Sequence, residues 1–282
     1  MKGGVGAHGI TSFHGGARNI PWAGCFTSNR AENMARLSGK TAAITGGAGG
    51  IGAAIARRFA AEDATLALLD LNGDGAAQTA AALNGLSSGH YGAAIDVGDE
   101  TSVENAFAAT AEAVGKIDIL INAAAIAGAS PVEEMAVADW DQMLRINLRG
   151  TFLCCRAVMP AMRRRNWGRI VNFASEVAHR GNPGLSHYAA SKAAVIAFSK
   201  CLALEAIDGG ICVNTLSPGP TDTSMLAGIE PEVIDKLVND LMPIGRLGKT
   251  EEIAAAALFL ASDDAAFCVG TTLNVNGGTY LN

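Results

Sequence analysis

Tyr188 and Lys192 stand four positions apart in the run Tyr188-Ala189-Ala190-Ser191-Lys192. On a helix, i and i+4 share a face, so the phenol and the ammonium become neighbours. Free tyrosine, with a pKa near 10, is a poor base at neutral pH. A nearby cation stabilises the phenolate and lowers that value. Such a phenol takes the proton of an alcohol as hydride leaves the carbon, or returns it in the reductive direction. The spacing alone is common on helices and carries little weight. Ser175 adds to it, because it lies just after the apolar run Arg169-Ile170-Val171-Asn172-Phe173. Ligands of parallel sheets bind outside the carboxyl ends of strands.

A second constellation precedes this one. Thr45-Gly46-Gly47-Ala48-Gly49-Gly50-Ile51-Gly52 sits between a strand-like run and a helix-like run. Glycines allow a tight turn and let backbone amides approach a pyrophosphate, whose charge is favoured at a helix N-terminus. Two patterns fit: G-x-x-x-G-x-G through Gly46, Gly50 and Gly52, or G-x-G-x-x-G through Gly47, Gly49 and Gly52. Strand before and helix after is the context that turns such a match into a dinucleotide site. Asp70 ends the next strand-like run, close to the roughly 20-residue offset at which an acid reaches the adenosine ribose. Its carboxylate accepts from a 2′-hydroxyl and repels a 2′-phosphate, and Leu71, Asn72 and Gly73 follow it with no cation. NAD(H) is therefore expected over NADP(H). The competing reading is a strand-end acid that caps the following helix.

These residues need a scaffold, and the apolar pattern supplies one. Strands are expected at Thr41–Thr45, Thr65–Asp70, Tyr91–Ile95, Ile117–Ile121, Arg169–Phe173, Ile211–Leu216 and Thr272–Val275. Helices are expected near Gly50–Glu62, Asp74–Leu83, Glu100–Val114, Ala138–Arg164 (bent near Pro160), Tyr188–Ala206, Pro231–Leu241 and Glu251–Ala261. Continuous apolar strands alternating with helices imply a parallel sheet covered on both faces, the single-domain, doubly wound α/β architecture. The chain has 282 residues, ample for a core without disulfide or metal staples. Its net charge is −6 and its one basic run is Arg163-Arg164-Arg165, which argues against nucleic acid. None of the six cysteines falls in a C-x-x-C pair, and no stretch is long and apolar enough for a membrane span. A cytoplasmic protein with free thiols is expected. The five histidines show no metal-ligand spacing. Residues 1–36 are glycine-rich without hydrophobic period and are read as a flexible N-terminal extension, its first 33 residues dispensable for activity; residues 37–282 form the domain.

With the glycine bend, the strand-end acid and the Ser/Tyr/Lys set in this order, residues 37–282 resemble the short-chain dehydrogenase/reductase family. The resemblance implies a Rossmann fold with NAD bound, Tyr188 as general acid/base, Lys192 lowering its pKa and holding the nicotinamide ribose, and Ser175 orienting the substrate oxygen. It implies that Asn147 helps organise a water-linked proton relay to the lysine. By the same resemblance Asp96 and Val97 meet the adenine and Asn122 lies against the cofactor. Gly46, Gly50, Ile51, Gly52, Asp70 and Leu71 hold the adenosine and diphosphate end. Pro218, Gly219, Thr221 and Thr223, in the segment from Ser217, close over the nicotinamide. Two positions depart from the family: Ala125 replaces a glycine in the usual N-N-A-G, and Cys212 stands where arginine is common, a change expected to affect surface packing only.

Substrate choice is expected from residues 125–131, 176–187 and 223–246. The second stretch holds Glu176, His179, Arg180, Asn182 and His187, which favours a polar or hydroxylated substrate over a hydrocarbon. Met225, Leu226 and Ile229 are expected to form an apolar mobile lid. The family resemblance implies a homo-oligomer, dimer or homotetramer, through the helices of Asn147 and Tyr188. The expected function is hydride transfer between NAD(H) and a secondary alcohol or ketone. The alternatives are a 3-oxoacyl-carrier-protein reductase, which usually takes NADPH and an acidic carrier, and a non-catalytic dinucleotide sensor, which an intact Ser/Tyr/Lys set disfavours.

Overall fold

The computed structural model describes residues 35–86, 89–226 and 230–281. Seven parallel strands form one sheet: β1 (Thr41–Thr45), β2 (Thr65–Asp70), β3 (Tyr91–Ala94), β4 (Ile119–Asn122), β5 (Gly168–Phe173), β6 (Ile211–Pro218) and β7 (Thr272–Val275). Their order is β3-β2-β1-β4-β5-β6-β7. The order reverses between β1 and β4, and there the carboxyl ends open a crevice.

Alternate strand residues feed two cores. Ile44, Leu66, Leu68, Ile119, Ile121 and Val171 face α1 (Gly50–Ala60), α2 (Gly73–Ala82) and the later helix Thr250–Ala261. Ala43, Leu69, Leu120, Ile170 and Val213 face the layer of α3 (Glu100–Val114) and the helices between β4 and β6. Each fully buried Leu, Ile or Val contributes roughly 1.5–3 kcal/mol relative to exposure. Leu37 is buried and the Arg36 amide donates to Glu62 Oε2 at 2.9 Å, which ties this segment to the turn after α1. The first 33 residues, read above as dispensable, lie outside the described residues.

The long helix expected over 138–164 is interrupted, and not at Pro160. It consists of α4 (Val137–Leu144), a π-helical turn (Arg145–Arg149) and α5 (Gly150–Arg165). Pro160 sits inside α5, and the widened turn lies where Asn147 is buried. After β5 comes a short α6 (Val177–Arg180), then α7 (Ser186–Ala206). Beyond β6 follow α8 (Pro231–Leu241) and α9 (Thr250–Ala261). β4 starts two residues later than expected and ends on Asn122; β6 runs on to Pro218, carrying the ordered backbone to the crevice rim. Cys212, expected to matter at the surface, is buried in β6 with Sγ directed at the Ala266 carbonyl at 3.8 Å. No described helix is long and apolar enough to cross a membrane.

Candidate active site

A cavity of about 980 Å³ opens at the crevice and is lined by the glycine bend, Asp70 to Asn72, Asp96, Val97, residues 123–129, Ser175, Tyr188 and Lys192. The bend follows G-x-x-x-G-x-G. Gly46 has φ +73 and Gly50 φ +53, both left-handed values that favour glycine. A Cβ on Gly52 would stand 2.0 Å from the Gly46 carbonyl oxygen, and one on Gly46 would be 3.0 Å from the Ala124 amide. Gly47 is confined by Leu68 of β2 instead, and nothing lies within 4 Å of the Gly49 position. The bend thus brings bare backbone against β4 and leaves its outer face open at the N-terminus of α1. That is the cradle a diphosphate requires.

Asp70 closes the adenosine side. Its Oδ2 accepts from the Ala48 amide at 3.1 Å and its Oδ1 from the Asn72 amide at 3.0 Å, which fixes the carboxylate at the cavity edge. It caps no helix itself, because the side chain capping α2 is that of Asn72. Asp96 accepts from the Gly98 amide at 2.9 Å and pairs with Arg145 Nη1 at 3.1 Å, while Val97 is packed under Gly150. Arg145 lines the cavity and was missed by sequence reasoning. No local signal joins it to Asp96; only the π turn brings them together.

At the other end, Ser175 and Tyr188 line the cavity together, and the Ser175 hydroxyl accepts from the Val177 amide at 3.3 Å. Burial pushes the phenol above its ordinary 10.0; the Ser175 hydroxyl opposes this and the neighbouring Glu176 carboxylate reinforces it. That is opposite to the lowering expected from Lys192. The lysine is buried too, with Nζ donating to the Phe173 carbonyl at 2.9 Å and lying 5.9 Å from the centre of the Tyr188 ring. Burial lowers its pKa to about 8. An ammonium that binds a carbonyl, not the phenol, gives the tyrosine little help in the protein alone.

Neither of the two asparagines lines the cavity. The Asn147 side chain forms a two-way clasp on Ile126, accepting from its amide and donating to its carbonyl, both at 2.9 Å. It also donates to Ser191 Oγ at 3.2 Å, and its own carbonyl accepts from Thr151 Oγ1 at 2.8 Å. The side chain therefore anchors the cavity wall after β4. Asn122 turns away from the cavity. Its Nδ2 donates to Asn172 Oδ1 at 2.8 Å, and Asn172 donates to Ser199 Oγ at 2.9 Å, a polar chain beneath the sheet. Ala123, Ala124 and Ala125 supply the wall in its place.

Pro218, Gly219, Thr221 and Thr223 line the same cavity as Tyr188. Thr221 Oγ1 donates to the Gly219 carbonyl at 2.9 Å. Among the specificity residues, Glu176, Arg180 and Asn182 face the cavity, whereas His187 is buried beside it and His179 stacks on Tyr280 at 4.5 Å. Leu226 and Met225 line the opening, and Ile229 lies outside the described residues.

Comparison with known proteins agrees with this arrangement. Residues 46–280 match a family described as enoyl-(acyl carrier protein) reductase. A D-threitol dehydrogenase of Mycolicibacterium smegmatis is 45% identical over 247 residues, 86% of this chain and 94% of the relative. A 2-dehydro-3-deoxy-L-rhamnonate dehydrogenase (NAD(+)) of Sphingomonas is 41% identical, covering 86% of this chain and 96% of the relative. A 3-oxoacyl-acyl-carrier-protein reductase of Aquifex aeolicus is 35% identical, covering 87% and 99%. These relatives span the sheet, the glycine bend and the Ser/Tyr/Lys cluster alike, and the chain belongs to the short-chain dehydrogenase/reductase family of oxidoreductases.

Proposed function

We propose that this protein is an NAD-dependent dehydrogenase of a small polar secondary alcohol, working through Tyr188 as proton donor and acceptor. One observation carries the reading: Ser175, Tyr188 and Lys192 line the same cavity as a glycine cradle and the Asp70 carboxylate. NAD(H), when bound, accepts or gives the hydride. The backbone of Gly46, Gly50, Ile51 and Gly52 receives the diphosphate. Asp70 and Leu71 take the ribose, and Asp96 and Val97 the adenine. Pro218, Gly219, Thr221 and Thr223 border the nicotinamide end. Ser175 holds the substrate oxygen within reach of the Tyr188 hydroxyl. Lys192, its Nζ 5.9 Å from the centre of the Tyr188 ring, would act together with the positive charge of an oxidised nicotinamide in favouring the phenolate. Asn147 is a positioning residue that fixes Ile126. In oxidation the phenolate takes the alcohol proton; in reduction the phenol returns it.

Asp70 speaks against a carrier-protein reductase that uses NADPH, since a carboxylate repels a 2′-phosphate. Reduction of NAD⁺, followed by NADH absorbance across alcohols and ketones, tests the assignment; preferential use of NADP⁺ overturns the cofactor part. We also assign catalysis to residues 37–282 and read residues 1–36 as an extension. Apolar side chains at Val137 (74% exposed), Phe152 (41%) and Leu204 (77%), on α4, α5 and α7, support a homo-oligomer, with a homotetramer as our assignment. Sedimentation showing a stable monomer would refute it. The free thiols of Cys154, Cys155, Cys201, Cys212 and Cys268 suit a reducing, cytoplasmic setting.

A further inference from the structure

The residue after Ser175 opens an ion pair built into the cavity wall. Glu176 and Arg180 lie at i and i+4 across α6, with side chains only 3% and 19% exposed. Both Glu176 oxygens are held by Arg180, one from Nε and the other from Nη2 at 3.1 Å. Arg180 Nη1 donates to the Gly181 carbonyl at 3.0 Å and to Asn182 Oδ1 at 3.4 Å. Glu176, Arg180 and Asn182 all line the cavity that holds Tyr188. Much of the lining around them is apolar, including Leu185, Met225, Leu226, Val233, Ile234 and Leu237. Packing does not account for such a pair, because well-fitted apolar side chains usually serve as well as a buried ion pair or better.

Resting on the dehydrogenase reading, we propose that the Glu176–Arg180 pair selects a neutral polyol, reading a hydroxyl vicinal to the reacting carbon and rejecting both hydrocarbon alcohols and hydroxy acids. The hydrogen-bond inventory decides between these classes. A guanidinium has five N–H donors, and four have partners here, which leaves one on Nη2. The carboxylate keeps free lone pairs beyond the two oxygens' bonds to Arg180. The wall therefore offers a donor beside acceptors, with no net charge. A hydroxyl donates and accepts at once and satisfies both. A substrate carboxylate only accepts, prefers the guanidinium fork already committed to Glu176, and meets a like charge there. A hydrocarbon leaves the pair desolvated without a partner.

Four-carbon probes with NAD⁺ test this: butan-2-ol, butane-2,3-diol, erythritol and 3-hydroxybutyrate. The expected result is kcat/KM at least about tenfold higher for the diol and the tetrol than for butan-2-ol or 3-hydroxybutyrate. In the double variant Glu176→Gln/Arg180→Met the ratio of diol to butan-2-ol falls by about tenfold or more. A second readout separates recognition from misfolding. Arg180→Met alone leaves a bare carboxylate beside the phenol and moves the pH profile of kcat/KM to higher pH, while the double variant moves it back. Turnover with no preference among the probes, or preference for 3-hydroxybutyrate, overturns this inference but leaves the dehydrogenase intact. No turnover of any probe or its ketone overturns the dehydrogenase reading, and this inference with it.

Discussion

The two ends of the cavity are built by different means. The cofactor end is made of backbone: Gly46 and Gly52 stand where any side chain would collide with neighbouring main chain, and Asp70 is fixed by two amides. The substrate end is made of side chains: Ser175 on Tyr188, Glu176 on Arg180, and an apolar rim from α8. A backbone cradle tolerates almost no substitution but recognises only what every dinucleotide shares. A side-chain wall can be rebuilt residue by residue, so it is where related enzymes of one fold come to differ in substrate.

Substitutions at each end sharpen the contrast. Tyr188→Phe should lower kcat by roughly 10²–10⁴-fold and change NADH affinity, read by fluorescence titration, less than about twofold. Gly52→Ala should do the reverse, because the new methyl falls 2.0 Å from the Gly46 oxygen. NADH affinity should drop by about 30-fold or more, with a lower Tm, since such a backbone collision costs several kcal/mol. Equal affinity in that variant would break the comparison. Asp70→Ser should lower the NAD⁺/NADP⁺ ratio of kcat/KM by about tenfold or more, through loss of the ribose bond and of the repulsion. The smallest effect concerns Lys192, whose folded pKa of about 8 lies below its ordinary 10.5. Between those values the unfolded chain binds more protons, so stability rises with pH. Relative to Lys192→Met, denaturation should show the wild type gaining about 1 kcal/mol per pH unit over that window.

The same contrast explains what the sequence revealed. Gly46, Gly50, Gly52 and Asp70 were legible because steric need and strand ends leave fixed local signatures. The sheet was legible because β1, β2, β4 and β5 are continuous apolar runs. Arg145 was not, since an i to i+5 widening of a helix has no residue code. It moved the break away from Pro160, which looked the better breaker. Asn122 was misplaced because its partners, Asn172 and Cys155, are distant in sequence. Glu176 and Arg180 were recognised as polar, but the short α6 that pairs them was not foreseen. The direction of the Tyr188 shift was missed because spacing reports proximity to Lys192 and says nothing of burial.

That shift bears on the central claim, that Tyr188 becomes a base only beside a cationic nicotinamide. The chain has only three tyrosines, so ¹³Cζ-tyrosine labelling gives a spectrum that Tyr188→Phe assigns at once. Titrated without cofactor, the Tyr188 signal should change at a pH above that of free tyrosine; with saturating NAD⁺ its midpoint should fall towards neutrality. A midpoint that NAD⁺ leaves unmoved would contradict the account.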